Sequence, residues 1–226
     1  MSTFLRPKDY PIMISPNLNY AWVNIPKNCS SFIQKVLSDN GWISVNFNLI
    51  DSILSSSSIE KIVVLRDPLQ RWISGFAESC GIPSVPILKL DLDKLDELLE
   101  NNTFWTLIYN NLVMCDHTEY QHRFITNGKN IKYIKLEEKD NTQNIQDPNR
   151  FYKDFSKYIK YTGGTSNFSH WNTIINPVDN DKNKSRIYNK IIHMMEKDPS
   201  IPFEIKGFHQ DDYDLFNNLE RFVTNE

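Results

Sequence analysis

Glycine is scarce in this chain, with seven among 226 residues. Loops that wrap a phosphate draw on glycine for left-handed backbone, and the nucleotide-triphosphatase pattern GxxxxGK[ST] is missing. Cysteine is equally sparse. Cys29, Cys80 and Cys115 form an odd set with no CxxC spacing, which argues against a disulfide framework or zinc site and reads as three reduced thiols. With no HExxH and no Cys/His cluster, no metal is expected. No apolar run approaches the roughly 20 residues of a membrane span, and the opening MSTFLRPKDYPIMIS lacks the apolar stretch of a secretory leader. The expectation is a cytoplasmic chain with no membrane partner. A basic excess is missing too: the formal net charge is −3. That argues against nucleic acid as a partner and confines any anion site to a local patch.

The composition that remains is globular, 40% hydrophobic and 12% aromatic, and the length suits one domain over 1–226. YAWVNI (20–25), KIVVLR (61–66) and IKYIKL (131–136) are short apolar runs fit for strands. Helical spacing follows the first two, at 31–40 with Ser30 or Ser31 as the cap and at LQRWISGFAESCG, opened by Asp67-Pro68 and closed by Gly81. Further helices are expected over 91–114, 148–159, 184–197 and 211–223, with loops at 82–90 and 162–172. Strands alternating with helices predict an α/β fold whose central, mainly parallel sheet is flanked by helices.

Two strand-to-helix junctions carry the chemistry. In AWVNIPKNCSSFIQKVL, Lys27, Asn28, Cys29, Ser30 and Ser31 lie between a strand and a helix. The first amides of that helix have no internal partner, its dipole favours an anion, and Lys27 adds a full charge. The same loop also fits an ordinary capped helix with a solvated lysine. A cysteine-phosphatase loop is excluded, because Cys-x5-Arg would need an arginine where Lys35 stands. In LRDPLQRWISGF, Arg66 ends a strand and Ser74 follows on the next helix, so both can close on a second anionic group, with Arg71 either pairing with Asp67 or facing the ligand.

Together, IPKNCSSF resembles the 5′-phosphosulfate loop, usually Pro-Lys-x-Gly-[Ser/Thr]-[Ser/Thr], of sulfotransferases that use 3′-phosphoadenosine 5′-phosphosulfate (PAPS). VVLRDPLQRWISGF resembles their 3′-phosphate motif, in the Arg-Asp-Pro-x-x-Arg form closest to the carbohydrate sulfotransferase branch. Weaker similarity continues in MCDHTEYQHRFI, like an Asp-x-His-x-x-Pro-Gln segment with Tyr120 for Pro, and in the closing HQDDYDLFNN. The resemblance implies a P-loop nucleotide-kinase-like fold and transfer of a sulfuryl group from PAPS to a hydroxyl, that of a carbohydrate, without a metal. It implies that Lys27 binds the 5′-phosphosulfate, that Asn28, Cys29, Ser30, Ser31 and Phe32 offer backbone amides, and that Arg66 and Ser74 hold the 3′-phosphate. Cys29 stands where the family has glycine.

The acceptor proton calls for a base near working pH. Of the five histidines, His117 is the first choice because Asp116 and Glu119 flank it; Asp51, between the two motifs, is the rival. Asn167 or His170 is placed near the nucleotide by the resemblance. Trp42, Trp72 and Trp105 read as core residues rather than a sugar cleft. Two other readings stay open: a nucleotide or small-molecule kinase with an atypical phosphate loop, and an inactive anion-binding relative.

Overall fold

The computed structural model describes residues 10–79, 94–113, 115–136, 155 and 182–219. Among them, β1 (Ile12–Ile14), β2 (Tyr20–Val23), β3 (Ile43–Ser44), β4 (Glu60–Leu65) and β5 (Ile131–Lys135) form one sheet in the order β3-β1-β2-β4-β5. β2, β4 and β5 pair in parallel, while β1 runs antiparallel to both of its neighbours. Four strands therefore point one way and β1 the other, so the sheet is mixed but mostly parallel.

Of the apolar runs read as strands, β2 and β4 are buried because both faces of the sheet are covered there, whereas β5, at the edge, buries Ile134 alone. Trp22, Ile62, Val64 and Ile134 pack under Phe32, Ile33 and Leu37 of α1 (Ser30–Asp39). The alternate residues Ala21, Val23, Val63 and Leu65 face the other side. There they meet α2 (Ile50–Ser55), Phe124 of a 3-10 helix (Gln121–Ile125) and Phe216 of α8 (Gln210–Asn218). A third apolar cluster joins α3 (Pro68–Ser79) to α4 (Leu95–Leu99), α5 (Asn102–Tyr109), α6 (Lys182–Lys197) and α7 (Ser200–Phe208). Trp42, Trp72 and Trp105 are all buried in these clusters, as expected of core residues.

Several elements differ from the expectation. β1 and β3 have no counterpart in the sequence reading, and the helical stretch expected over 91–114 is two helices. Asn101 divides them, its side chain accepting from the Thr103 amide to cap α5. Among the described residues the C-terminal region holds three helices rather than two, the additional one being α7, which tolerates Pro202 because it sits in the first turn, where a missing N–H costs nothing. Residues 220–223 of the helix expected over 211–223 lie outside the described residues. Neither Ser30 nor Ser31 is the cap of α1. Cys29 is, with no side-chain bond. The loops expected at 82–90 and 162–172, Gly81, Asn167 and His170 lie outside the described residues, as does the helix expected over 148–159 apart from Phe155.

Because β2 and β4 are parallel neighbours, their carboxyl ends open at the same edge of the sheet, about 4.8 Å apart. Crevices beyond the carboxyl ends of parallel strands are where α/β sheets bind ligands. A third segment, 115–120, reaches this edge because α3 lets it approach. A Cβ on Gly75 would lie 2.2 Å from the His117 carbonyl oxygen. Gly75→Ala is expected to lower the unfolding free energy by about 1–3 kcal/mol through overpacking, despite alanine's helix preference. A urea midpoint at or above that of the wild type would contradict this contact.

Candidate active site

The loop after β2 is bent by two left-handed residues, Lys27 at φ 68° and Cys29 at φ 58°. Such a conformation costs a non-glycine residue about 1–2 kcal/mol. Cys29 thus adopts, without being glycine, the left-handed backbone that glycine takes at no steric cost. The Ile25 carbonyl accepts from the Asn28 amide at 3.3 Å, and the Cys29 carbonyl from the Ile33 amide at 3.0 Å. Asn28 is accordingly not a free amide donor for an anion, contrary to the expectation. The amides of Ser30, Ser31 and Phe32, which precede the first intrahelical bond, have no acceptor inside the helix. Ser30 is half-buried, Ser31 exposed, and the Phe32 ring belongs to the core.

The second junction forms as expected at its cap: Asp67 Oδ1 accepts from the Gln70 amide at 3.0 Å, and Pro68 opens α3. Arg66 turns back across the strand ends, and its Nη1 donates to the Lys27 carbonyl at 3.3 Å. Ser74 is half-buried on the same helix. Arg71 neither pairs with the Asp67 carboxylate nor faces outward. It is fully buried, donating from Nε to the Pro26 carbonyl at 2.9 Å, from Nη1 to the Glu119 carbonyl and from Nη2 to the Asp116 carbonyl at 3.2 Å. Burial pulls its pKa down to about 10, against the opposing charges of Asp212 and Glu119. It stays cationic at neutral pH and fastens three backbone carbonyls, one in the loop after β2 and two in the 115–120 segment.

Gln121 ties the two junctions together. Its Oε1 accepts from the Arg66 amide at 3.1 Å and its Nε2 donates to the Arg66 carbonyl at 2.9 Å. The same Oε1 accepts from Asn28 Nδ2 at 2.7 Å, and that nitrogen also donates to the Val64 carbonyl at 2.7 Å. The Asn28 side chain is thus a buried clamp. Gln121 is held in turn by Asp212 of α8, which accepts from the amides of Gln121 at 2.7 Å and His122 at 3.0 Å and sits 2.9 Å from His122 Nδ1. His209 Nδ1 approaches Asp212 at 3.6 Å. Burial pushes the Asp212 carboxyl up, but the bond from His122, the nearby His209 ring and the bonds from the two amides outweigh it and hold the carboxyl well below its usual range. The bond to Asp212 raises the His122 pKa, with burial opposing.

Beside this frame lies a line of four side chains. Lys27 Nζ bonds Glu78 Oε2; Glu78 Oε1 is 3.9 Å from His117 Nε2; that nitrogen is 3.4 Å from the Tyr10 hydroxyl. The Lys27 side chain is 12% exposed and that of Glu78 32%, so the pair is sheltered yet reachable from solvent. His117 therefore reaches the site, but the carboxylate beside its ring is Glu78. Glu119 instead bonds Arg123 Nη1 at 2.9 Å and the Tyr120 amide at 2.9 Å. Asp51 does not join them. It is exposed on α2, whose end abuts the opposite edge of the sheet, where the Leu54 carbonyl accepts from the Lys129 amide and the Asn19 carbonyl from the Glu60 amide. Among the described residues, no group of three or more His, Cys, Asp or Glu is arranged to hold a metal ion.

The sequence reading missed Glu78, Gln121 and Asp212. Glu78 had a legible signal: it follows Ser74 by one helical turn and Arg71 by two, on the face that carries the motif. In the fold, Arg71, Gly75 and Glu78 all meet the 115–121 segment or the loop after β2.

Cys29→Gly is expected to keep or raise the urea midpoint, and Cys29→Val, which puts a branched side chain in left-handed backbone, to lower it; the reverse order would contradict the loop conformation. A raised folded-state pKa makes the His122 contribution fully present below its unfolded value of about 6.5 and lost as pH rises through the folded value. His122→Ala should therefore cost more stability below about pH 6 than above about pH 9, which denaturation at the two pH values checks. Comparison of the chain with protein-family models, curated proteins and solved structures finds no match in any of the three.

Proposed function

We propose that this chain is a sulfotransferase that moves a sulfuryl group from PAPS to a hydroxyl acceptor, of the carbohydrate class that its Arg-Asp-Pro-x-x-Arg motif suggests. The observation that carries the reading is the clamp between the junctions. Arg66 touches the Lys27 carbonyl, and Gln121 bonds both Arg66 and Asn28, so two cation-bearing helix entries share one edge of the sheet. The donor chemistry suits a nucleotide anionic at both ends: an ammonium with helix amides and serine hydroxyls at one tip, a guanidinium at the next.

PAPS supplies an activated sulfuryl group, and such transfer, like phosphoryl transfer, asks of the protein mainly alignment and charge stabilisation. In this reading Lys27 neutralises charge on the departing 5′-phosphate, assisted by the amides of Ser30 and Ser31. Arg66 and Ser74 hold the 3′-phosphate and fix the register of the nucleotide. The acceptor's proton is taken within the Glu78–His117 pair.

Adenosine 3′,5′-bisphosphate is expected to stabilise the chain by about 2.7 kcal/mol at a hundredfold excess over its Kd, read as a higher Tm, with ATP giving much less. Equal stabilisation by ATP would favour a kinase. Lys27→Ala and Arg66→Ala should each weaken bisphosphate binding by about 1.5–3 kcal/mol and abolish transfer of labelled sulfate from PAPS to a saccharide panel. Undiminished binding in both variants would sink the assignment.

A further inference from the structure

The geometry points to Glu78 as the proton acceptor of the transfer, a role that rests on the function proposed above. Lys27 is the ammonium placed to hold the leaving oxygen, so the reacting sulfur lies one bond from the atom that Lys27 contacts. The group that takes the acceptor's proton must stand within a few ångströms of the same place. The Glu78 carboxylate does, since one of its oxygens bonds Lys27 Nζ. His117 does so only through Glu78, with its Nε2 3.9 Å from the other carboxylate oxygen and 3.4 Å from the Tyr10 hydroxyl. His117 is a positioning residue whose ring stands beside the second oxygen of the carboxylate, and Tyr10 in turn bonds the His117 ring.

The ion pair also sets an order. While Lys27 bonds Glu78, the Oε2 lone pair is committed to the ammonium. When Lys27 turns to the 5′-phosphate side of the nucleotide, Oε2 is released toward the acceptor hydroxyl. Glu78 then takes the hydroxyl proton as the acceptor oxygen bonds to sulfur. The sulfur–oxygen bond to the 5′-phosphate breaks, its electron pair stays on the phosphate oxygen, and Lys27 offsets the new charge there. Atoms and charges balance with PAPS and a hydroxyl as the only reactants. The backbone of α3 need not move, because Arg71 and Gly75 fix that helix against the loop after β2 and the His117 backbone.

Calorimetry with adenosine 3′,5′-bisphosphate and turnover of labelled PAPS, on the wild type and on Glu78→Gln, separate this role from a structural one. A carboxylate that merely props Lys27 in place would, when neutralised, weaken nucleotide binding. A proton acceptor that competes for Lys27 would, when neutralised, leave the bisphosphate Kd unchanged or tighter. The expected result is that second outcome, together with a fall in kcat of about 10²–10⁴-fold. Glu78→Asp should bind nucleotide normally and recover part of kcat, and His117→Asn should lose less than Glu78→Gln. Weakened bisphosphate binding in Glu78→Gln, or a kcat within threefold of wild type, would overturn the role while leaving the sulfotransferase reading intact. A wild type that neither binds the bisphosphate nor turns over PAPS overturns both.

Discussion

One primary amide holds the candidate site in register. Gln121 pairs with both the N–H and the C=O of Arg66 and accepts from Asn28, so the ends of β2 and β4 are bonded through a residue that belongs to neither. A glutamine can do this because it offers an acceptor and two donors on one planar group. In a buried setting each of those bonds also spares a polar group the cost of lost solvation. The acceptors and donors satisfied here belong to the very loops from which Lys27 and Arg66 project.

Arg71 performs the complementary task with charge. Its guanidinium fastens the Pro26 carbonyl, ahead of Lys27, to the carbonyls of Asp116 and Glu119 on either side of His117. Carbonyl oxygens, rather than a carboxylate, balance this buried cation, while Asp212 and Glu119 lend more distant negative charge. The arginine of the second motif is thus part of the frame, and Arg66 alone of the two is left at the crevice. Lys27, Glu78, His117 and Tyr10 occupy the space that this frame leaves.

The apolar runs at 20–25 and 61–66 made β2 and β4 legible, since a buried parallel strand must be apolar on both faces, and β5 showed through the β-branched and aromatic residues of 131–136 despite its place at the edge. β1 and β3 were hidden because three and two residues show no period. The junction loops were readable from residue type: a lysine, serines and an arginine after strands have a physical use there. Their tertiary partners were not. An acid on a helix, as Glu78 is, reads as a solvated face until the opposing loop is known. Asp212 lies in an acidic first helical turn that the helix dipole alone would explain. Around His117 chain neighbours were mistaken for spatial ones: Glu119 turns to Arg123, and a residue 39 positions away stands beside the imidazole.

The tie from Asp212 to Gln121 has a consequence for biosynthesis. Residues 27, 66 and 121 leave the ribosome long before residue 212, and the carboxylate that fixes the Gln121 amide arrives only with α8. A nascent chain carrying both signature loops therefore still lacks the bond that seats Gln121 between them. Long-range contacts of this kind are slow to close, because the loop-closure entropy must be offset first. The crevice is therefore completed only when α8 docks.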